Sequence, residues 1–81
     1  MYQVMRKRVG DYETHYFVVD LSEGLPESGL SIGKPHDELK EAQYQAARAA
    51  TRHFKKTGNK GYELVQNVKA EVWYVRKRKA T

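Results

Sequence analysis

The chain of 81 residues contains no cysteine. That excludes a disulfide-stapled scaffold, a thiolate zinc site and a cysteine nucleophile. Proline is scarce, and both copies, Pro26 and Pro35, fall in one stretch. No apolar run approaches the roughly 18 residues that a membrane-spanning helix needs. The opening residues, Met1-Tyr2-Gln3-Val4-Met5-Arg6, lack the apolar stretch of a secretion signal, so a cytoplasmic location is expected. Sequence patterns that carry known chemistry are also missing: the H-E-x-x-H zinc pattern, the G-x-S-x-G elbow, the Walker loop and the G-x-G-x-x-G run. Gly24, Gly29 and Gly33 are too widely spaced for a phosphate loop, and Ser22, Ser28 and Ser31 read as turn serines. Of the histidines, His53 sits beside an apolar stripe and His15 in a strand pattern, while His36 precedes Asp37 and Glu38. Consecutive side chains on one turn point in different directions, so that last trio makes a poor metal site. The expectation is a protein that is not an enzyme and uses neither metal nor cofactor.

What is present fits a single small domain over residues 1–81. A domain of this size buries only about 60% of its unfolded surface. Hydrophobic residues at 40% and nine aromatics nevertheless suffice for a core, which argues against disorder.

The net charge of +5 is unevenly placed. Residues 1–41 hold five basic residues (Arg6, Lys7, Arg8, Lys34 and Lys40) against eight acidic ones, a net of −3. Residues 42–81 hold ten basic residues against Glu63 and Glu71, a net of +8. A clustered positive field attracts polyanions where a mixed surface does not. The alternative is a basic face that serves solubility alone.

Periodicity divides the chain into elements. Residues 2–9 and 14–21 read as a hairpin turning at Gly10-Asp11, the second arm being rich in β-branched and aromatic types. From Ser22 to Pro35 the glycines, prolines and serines predict a long loop, with Leu25, Leu30 and Ile32 folding parts of it back on the body. Residues 37–57 predict a helix. Pro35 would stand at its entry, with Asp37, Glu38 and Glu41 in or before its first turn, Lys55 and Lys56 in its last, and Gly58-Asn59 as its stop. Leu39, Ala42, Ala46, Ala49, Ala50, His53 and Phe54 share one face, which is narrow enough to lie tight against a sheet. Tyr44, Arg48, Arg52 and Lys55 share the opposite face. Residues 62–67 and 71–78 predict a second hairpin turning between Asn67 and Ala70, and the tail 79–81 is basic and expected to fray. The predicted fold is α+β, ββαββ, a four-stranded antiparallel sheet with one helix on one face.

One helix covers one sheet face and leaves the other to water, a second copy or a partner. Phe17, Val19, Leu64, Trp73 and Val75 are expected under the helix, and Tyr2, Tyr16 and Tyr74 on the open side, with a one-residue slip exchanging the two sets. Tyrosines beside Arg6, Arg8 and Arg76 would suit single-stranded nucleic acid, whose bases stack on rings while guanidinium groups hold phosphates. Tyrosine is equally an ordinary residue of half-buried strands.

Lys60-Gly61-Tyr62-Glu63-Leu64-Val65, with Val72-Trp73-Tyr74-Val75-Arg76-Lys77-Arg78 after a turn, resembles a recurring pattern of short bacterial α+β domains. These place a helix before Gly-aromatic-Glu-Leu-Val and close on a hydrophobic strand ending in basic residues. That resemblance covers about a quarter of the chain and implies helix-on-sheet packing without an assigned activity. Tyr16-Phe17-Val18-Val19-Asp20-Leu21, a glycine-rich bend and the alanine-rich stretch 42–50 are similar in order to HicB-like antitoxins, although their proline-glycine-cysteine segment is missing here. The ββαββ layout is also similar to small phage-encoded inhibitors of bacterial defence.

The function expected is a non-catalytic module that binds nucleic acid, RNA or DNA. Arg48, Arg52, Lys55 and Lys56 on the helix and Arg76, Lys77 and Arg78 at the last strand would contact phosphates, while Tyr74 and Tyr16 would stack on bases. The alternative is a protein-binding inhibitor or adaptor of phage or mobile-element origin, gripping its partner with Glu23, Leu25, Glu27 and Leu30 of the loop. A homodimer closed over the open sheet face is the third possibility.

Overall fold

The computed structural model describes residues 1–10, 13–58, 62–67 and 72–78, with Asn67 and Val72 described by backbone alone. The elements run β1 (Tyr2–Val9), β2 (Glu13–Asp20), a single 3-10 turn (Leu21–Glu23), β3 (Leu30–His36), α1 (Leu39–Thr57), β4 (Tyr62–Asn67) and β5 (Val72–Lys77). They build one antiparallel sheet in the order β3-β1-β2-β5-β4. The α+β class is as expected. The strand count is not: the sheet has five strands, and the layout is βββαββ.

The additional strand comes from the second half of the expected loop. Leu30, Ser31 and Ile32 pair with Arg6, Met5 and Val4, after which the register breaks and resumes at His36 opposite Tyr2. Gly33, Lys34 and Pro35 therefore lie in a bulge on an edge strand, a position where proline's missing N–H costs no ladder bond. Buried Gln3 lies across this bulge and its amide donates to the carbonyls of Ile32 (3.0 Å) and Gly33 (3.3 Å). Glycine, lysine and proline in sequence read as loop because the strand they interrupt is held by a glutamine thirty residues away. Pro35 accordingly stands in the sheet and not at a helix entry. The helix begins at Leu39 with Glu38 as its extended N-cap, and it stops at Gly58, whose φ of 60° is the left-handed conformation glycine tolerates.

The helix packs through Ala42, Ala46 and Ala50, all at 0% exposure, onto Val4, Tyr16, Tyr62 and Val75. Tyr2, Val18, Ile32, Phe54, Leu64 and Trp73 complete that layer. Leu64, Trp73 and Val75 thus lie under the helix as expected, but the first hairpin is turned over relative to expectation. Tyr16, opposite Arg6 in β1 and Trp73 in β5, is 4% exposed beneath the helix. Tyr2 packs on the same side, and Phe17 and Val19 alternate onto the other face. The hairpin alternates large apolar groups on both faces, so its sequence favours neither orientation.

The second face is partly roofed by the segment between Glu23 and β3. Gly29 (φ 116°) approaches so closely that a Cβ there would stand 3.1 Å from the carbonyl oxygen of Arg6, 3.5 Å from Met5 Cε and 3.6 Å from Phe17 Cζ. Met5, at 3% exposure, is buried on this face of the sheet. The turn between Asn67 and Ala70, the tail 79–81, Asp11 and Asn59 lie outside the described residues. Among the described residues, no helix is long and apolar enough to cross a membrane.

Candidate functional site

Three basic residues end β1, and the antiparallel register brings that end toward the end of β5. Tyr62 of β4 pairs with Lys77, and β5 pairs with β2 beside Tyr16. The C-terminal turns of α1 lie over the same end. Between β1 and α1 opens a cleft of about 690 Å³. Arg6, Lys7 and Arg8 form one side, His53, Phe54 and Thr57 the other, and Tyr62 and Val75 the floor. Glu13, Thr14, Gly29 and Leu30 close its margins.

Its electrostatics follow from the crowding of like charges. Arg6 stands opposite Tyr16 in the β1–β2 ladder, and the Tyr16 ring meets that of His53 at a centroid distance of 5.9 Å. Burial pushes the Tyr16 hydroxyl above its ordinary pKa, with Arg6 opposing the shift. The imidazole of His53 is held below its ordinary value, first by burial and then by the positive charges of Arg6 and Lys56. Among the described residues, Arg6 and Lys56 have no acidic side chain within ion-pair distance. The helix end adds carbonyl dipoles of opposite sign. Lys55 and Lys56 face that dipole, Gly58 donates its backbone N–H to Lys55, and the hydroxyl of Thr57 donates to the carbonyls of His53 and Phe54. The result is a concave site with excess positive charge and an aromatic, apolar floor.

The expected helix residues occupy a different surface. Arg48, Arg52 and Lys55 line a shallow groove of about 340 Å³ along the outside of α1, with the Arg48 guanidinium 5.7 Å from the centre of the Tyr44 ring. Arg76, Lys77 and Arg78 are exposed at the end of β5, but Arg76 donates to Glu63 at 2.6 Å and is a paired cation. Tyr74 is half-buried on the face away from the helix, its ring centroid 5.2 Å from that of His15, whose Nε2 lies 3.3 Å from a Glu13 carboxylate oxygen. Tyr16 does not join it. Buried beneath α1, it is removed from any stacking role, and the paired-tyrosine platform is corrected to a single half-buried ring.

The expected gripping loop is also divided. Glu23 ends the 3-10 turn, which Asp20 caps by accepting from the backbone N–H of Ser22 at 2.9 Å. That bond, first through the backbone N–H, holds the Asp20 carboxyl below its ordinary pKa. Leu25 and Glu27 stay exposed in the connection, whereas Leu30 is the first residue of β3. Arg6 and Arg8, expected beside tyrosines on an open sheet face, stand in the cleft instead, together with Lys7, which charge counting assigned to the acidic half of the chain. Their signal was the hairpin itself, whose turn puts the end of β1 at the edge of the sheet. Among the described residues, no three His, Asp or Glu side chains come together as a metal site would require.

Compared with known proteins, the chain matches no protein-family model, no curated protein and no solved structure.

Proposed function

We propose that this protein is a non-catalytic module that binds nucleic acid, with the cleft between β1 and the end of α1 as its principal contact. The observation that carries the reading is the meeting of Arg6, Lys7 and Arg8 around one concavity that holds an aromatic floor. Cations brought together repel one another, and polyanion binding relieves that repulsion while releasing condensed counterions. Lys77 and Arg78 extend the positive field beyond the cleft, and Arg48 and Arg52 offer a second line of phosphate contacts along α1. Tyr74, half-buried beside His15, offers a ring edge for stacking outside the cleft.

Fluorescence anisotropy of labelled single- and double-stranded RNA and DNA over a salt series tests this. A steep linear fall of log affinity with log salt is expected, about 0.9 in slope for each phosphate neutralised on duplex DNA. Lys7→Glu with Arg8→Glu should weaken binding and flatten that slope, and an unchanged slope would remove the cleft from the interface. Exposed Leu25, 59% accessible between Glu23 and Glu27, favours a second reading as a protein-binding inhibitor or adaptor. No binding of any nucleic acid at moderate salt would leave that reading standing.

A further inference from the structure

We infer that the cleft receives one unpaired nucleoside monophosphate unit, phosphate toward Arg6 and Arg8 and base against Phe54. The inference rests on the nucleic-acid reading for its biological source, but the cleft's own dimensions and lining carry it. A volume of about 690 Å³ lies within the range of sites that enclose small ligands, roughly 300–1,000 Å³. A double helix is far too wide to enter it, so the base that enters must be out of a stack.

The lining is divided by chemistry in the way a nucleotide is. The charged part is the wall of Arg6, Lys7 and Arg8, with Glu13 at its margin, and no acidic side chain among the described residues pairs with Arg6. A phosphate placed there meets planar guanidinium groups, and a phosphomonoester dianion gains more than a diester from the same field. The neutral part presents Phe54, Tyr62 and Val75. Tyr62 and Val75 are nearly fully buried and offer only a floor, while Phe54 retains partial exposure on the helix edge. An aromatic ring beside a cationic phosphate seat is the arrangement by which single bases are held without sequence preference.

The test uses the intact protein, titrated calorimetrically with AMP, ribose 5-phosphate, adenosine and inorganic phosphate, with His53 ring protons followed by NMR. AMP is expected to bind at least about tenfold more tightly than adenosine or ribose 5-phosphate and to shift the His53 signals. Phe54→Leu keeps an apolar group against the core and should weaken AMP about three- to tenfold while leaving ribose 5-phosphate unchanged. Arg8→Gln, at an exposed position, should weaken both phosphates equally and serves if the Phe54 variant fails to fold. Equal affinity for all four ligands, or AMP binding that leaves His53 unmoved, overturns the inference.

Oligonucleotides then separate the sources of the ligand. A 5′-phosphorylated pentanucleotide that binds more tightly than its 5′-hydroxyl form, and that AMP displaces, assigns the cleft to strand ends. AMP binding with no oligonucleotide binding assigns it to free nucleotides, upholding the inference while the nucleic-acid reading fails. Salt-sensitive oligonucleotide binding that excess AMP neither joins nor displaces overturns the inference and leaves the nucleic-acid reading intact.

Discussion

At the scale of single residues, His53 links the fold to the cleft. Its ring touches Tyr16 beneath the helix, while Arg6 and Lys56 bring positive charge to it from two elements. Because its folded pKa lies below its unfolded one, the unfolded chain takes up a proton more readily as pH falls. The group therefore contributes stability above its ordinary value of 6.5 and loses it as pH drops through that value toward the folded one. Denaturation midpoints measured from about pH 7.5 to about pH 5 should decline, and His53→Gln should make that decline shallower. An identical decline in the variant would locate the pH sensitivity elsewhere. Tyr16 shows the limit of reading at this scale. Its neighbours in sequence, Phe17 and Val18, are as apolar as a core requires, so nothing local distinguished a ring under the helix from one in solvent. Its cross-strand neighbours, Arg6 in β1 and Trp73 in β5, are distant in sequence.

At the scale of elements, α1 was the most legible. Its alanines at fourth-residue spacing predicted a close approach to the sheet, and Ala42, Ala46 and Ala50 are the most deeply buried residues of the core. Replacing Ala46 with Leu adds volume where backbone meets backbone, and a loss of about 1–3 kcal/mol in urea unfolding is expected. A neutral result would mean the helix can lift from the sheet without cost. The edges of β4 were equally plain, since a run of β-formers lay between turn residues. β3 was not legible, because its signature is a bulge. Bulges draw on glycine and proline, which also mark loops, and the group that secures this one is the side chain of Gln3. Helix start was misplaced for the same reason: Pro35 fits a first helical turn and an edge bulge equally well.

On the scale of the whole molecule, the sequence separated what the fold joins. Counting charge along the chain divided it into an acidic first half and a basic second half, and this was accurate as arithmetic. The sheet order β3-β1-β2-β5-β4 then sets β1, from the acidic half, between β3 and β2 and under the helix. The basic end of β1 thereby meets the basic end of α1, and the cleft is formed from both halves. A helix face and a strand end could be predicted from spacing alone, but a concavity depends on which strands are neighbours. Residues such as Arg48 and Arg52 were placed correctly because one helix presents them, and Arg6, expected on the open sheet face, lines a cleft instead because two elements frame it.

The same strand order has a consequence for how the molecule opens. β1 and β2 pair along their whole length, as do β4 and β5, but among the described residues β2 and β5 are joined only at His15–Tyr74 and Tyr16–Trp73. Two ladders of different sequence distance therefore share one narrow junction, with α1 laid across it. Amide protons should reveal this in native-state hydrogen exchange, those of β4 and β5 becoming labelled together at a lower opening free energy than those of β1 and β2. A single shared free energy for both hairpins would mean that the helix alone makes them one cooperative unit. Otherwise the second hairpin is a separately opening leaf, and the floor of the cleft, which it supplies through Tyr62 and Val75, opens with it.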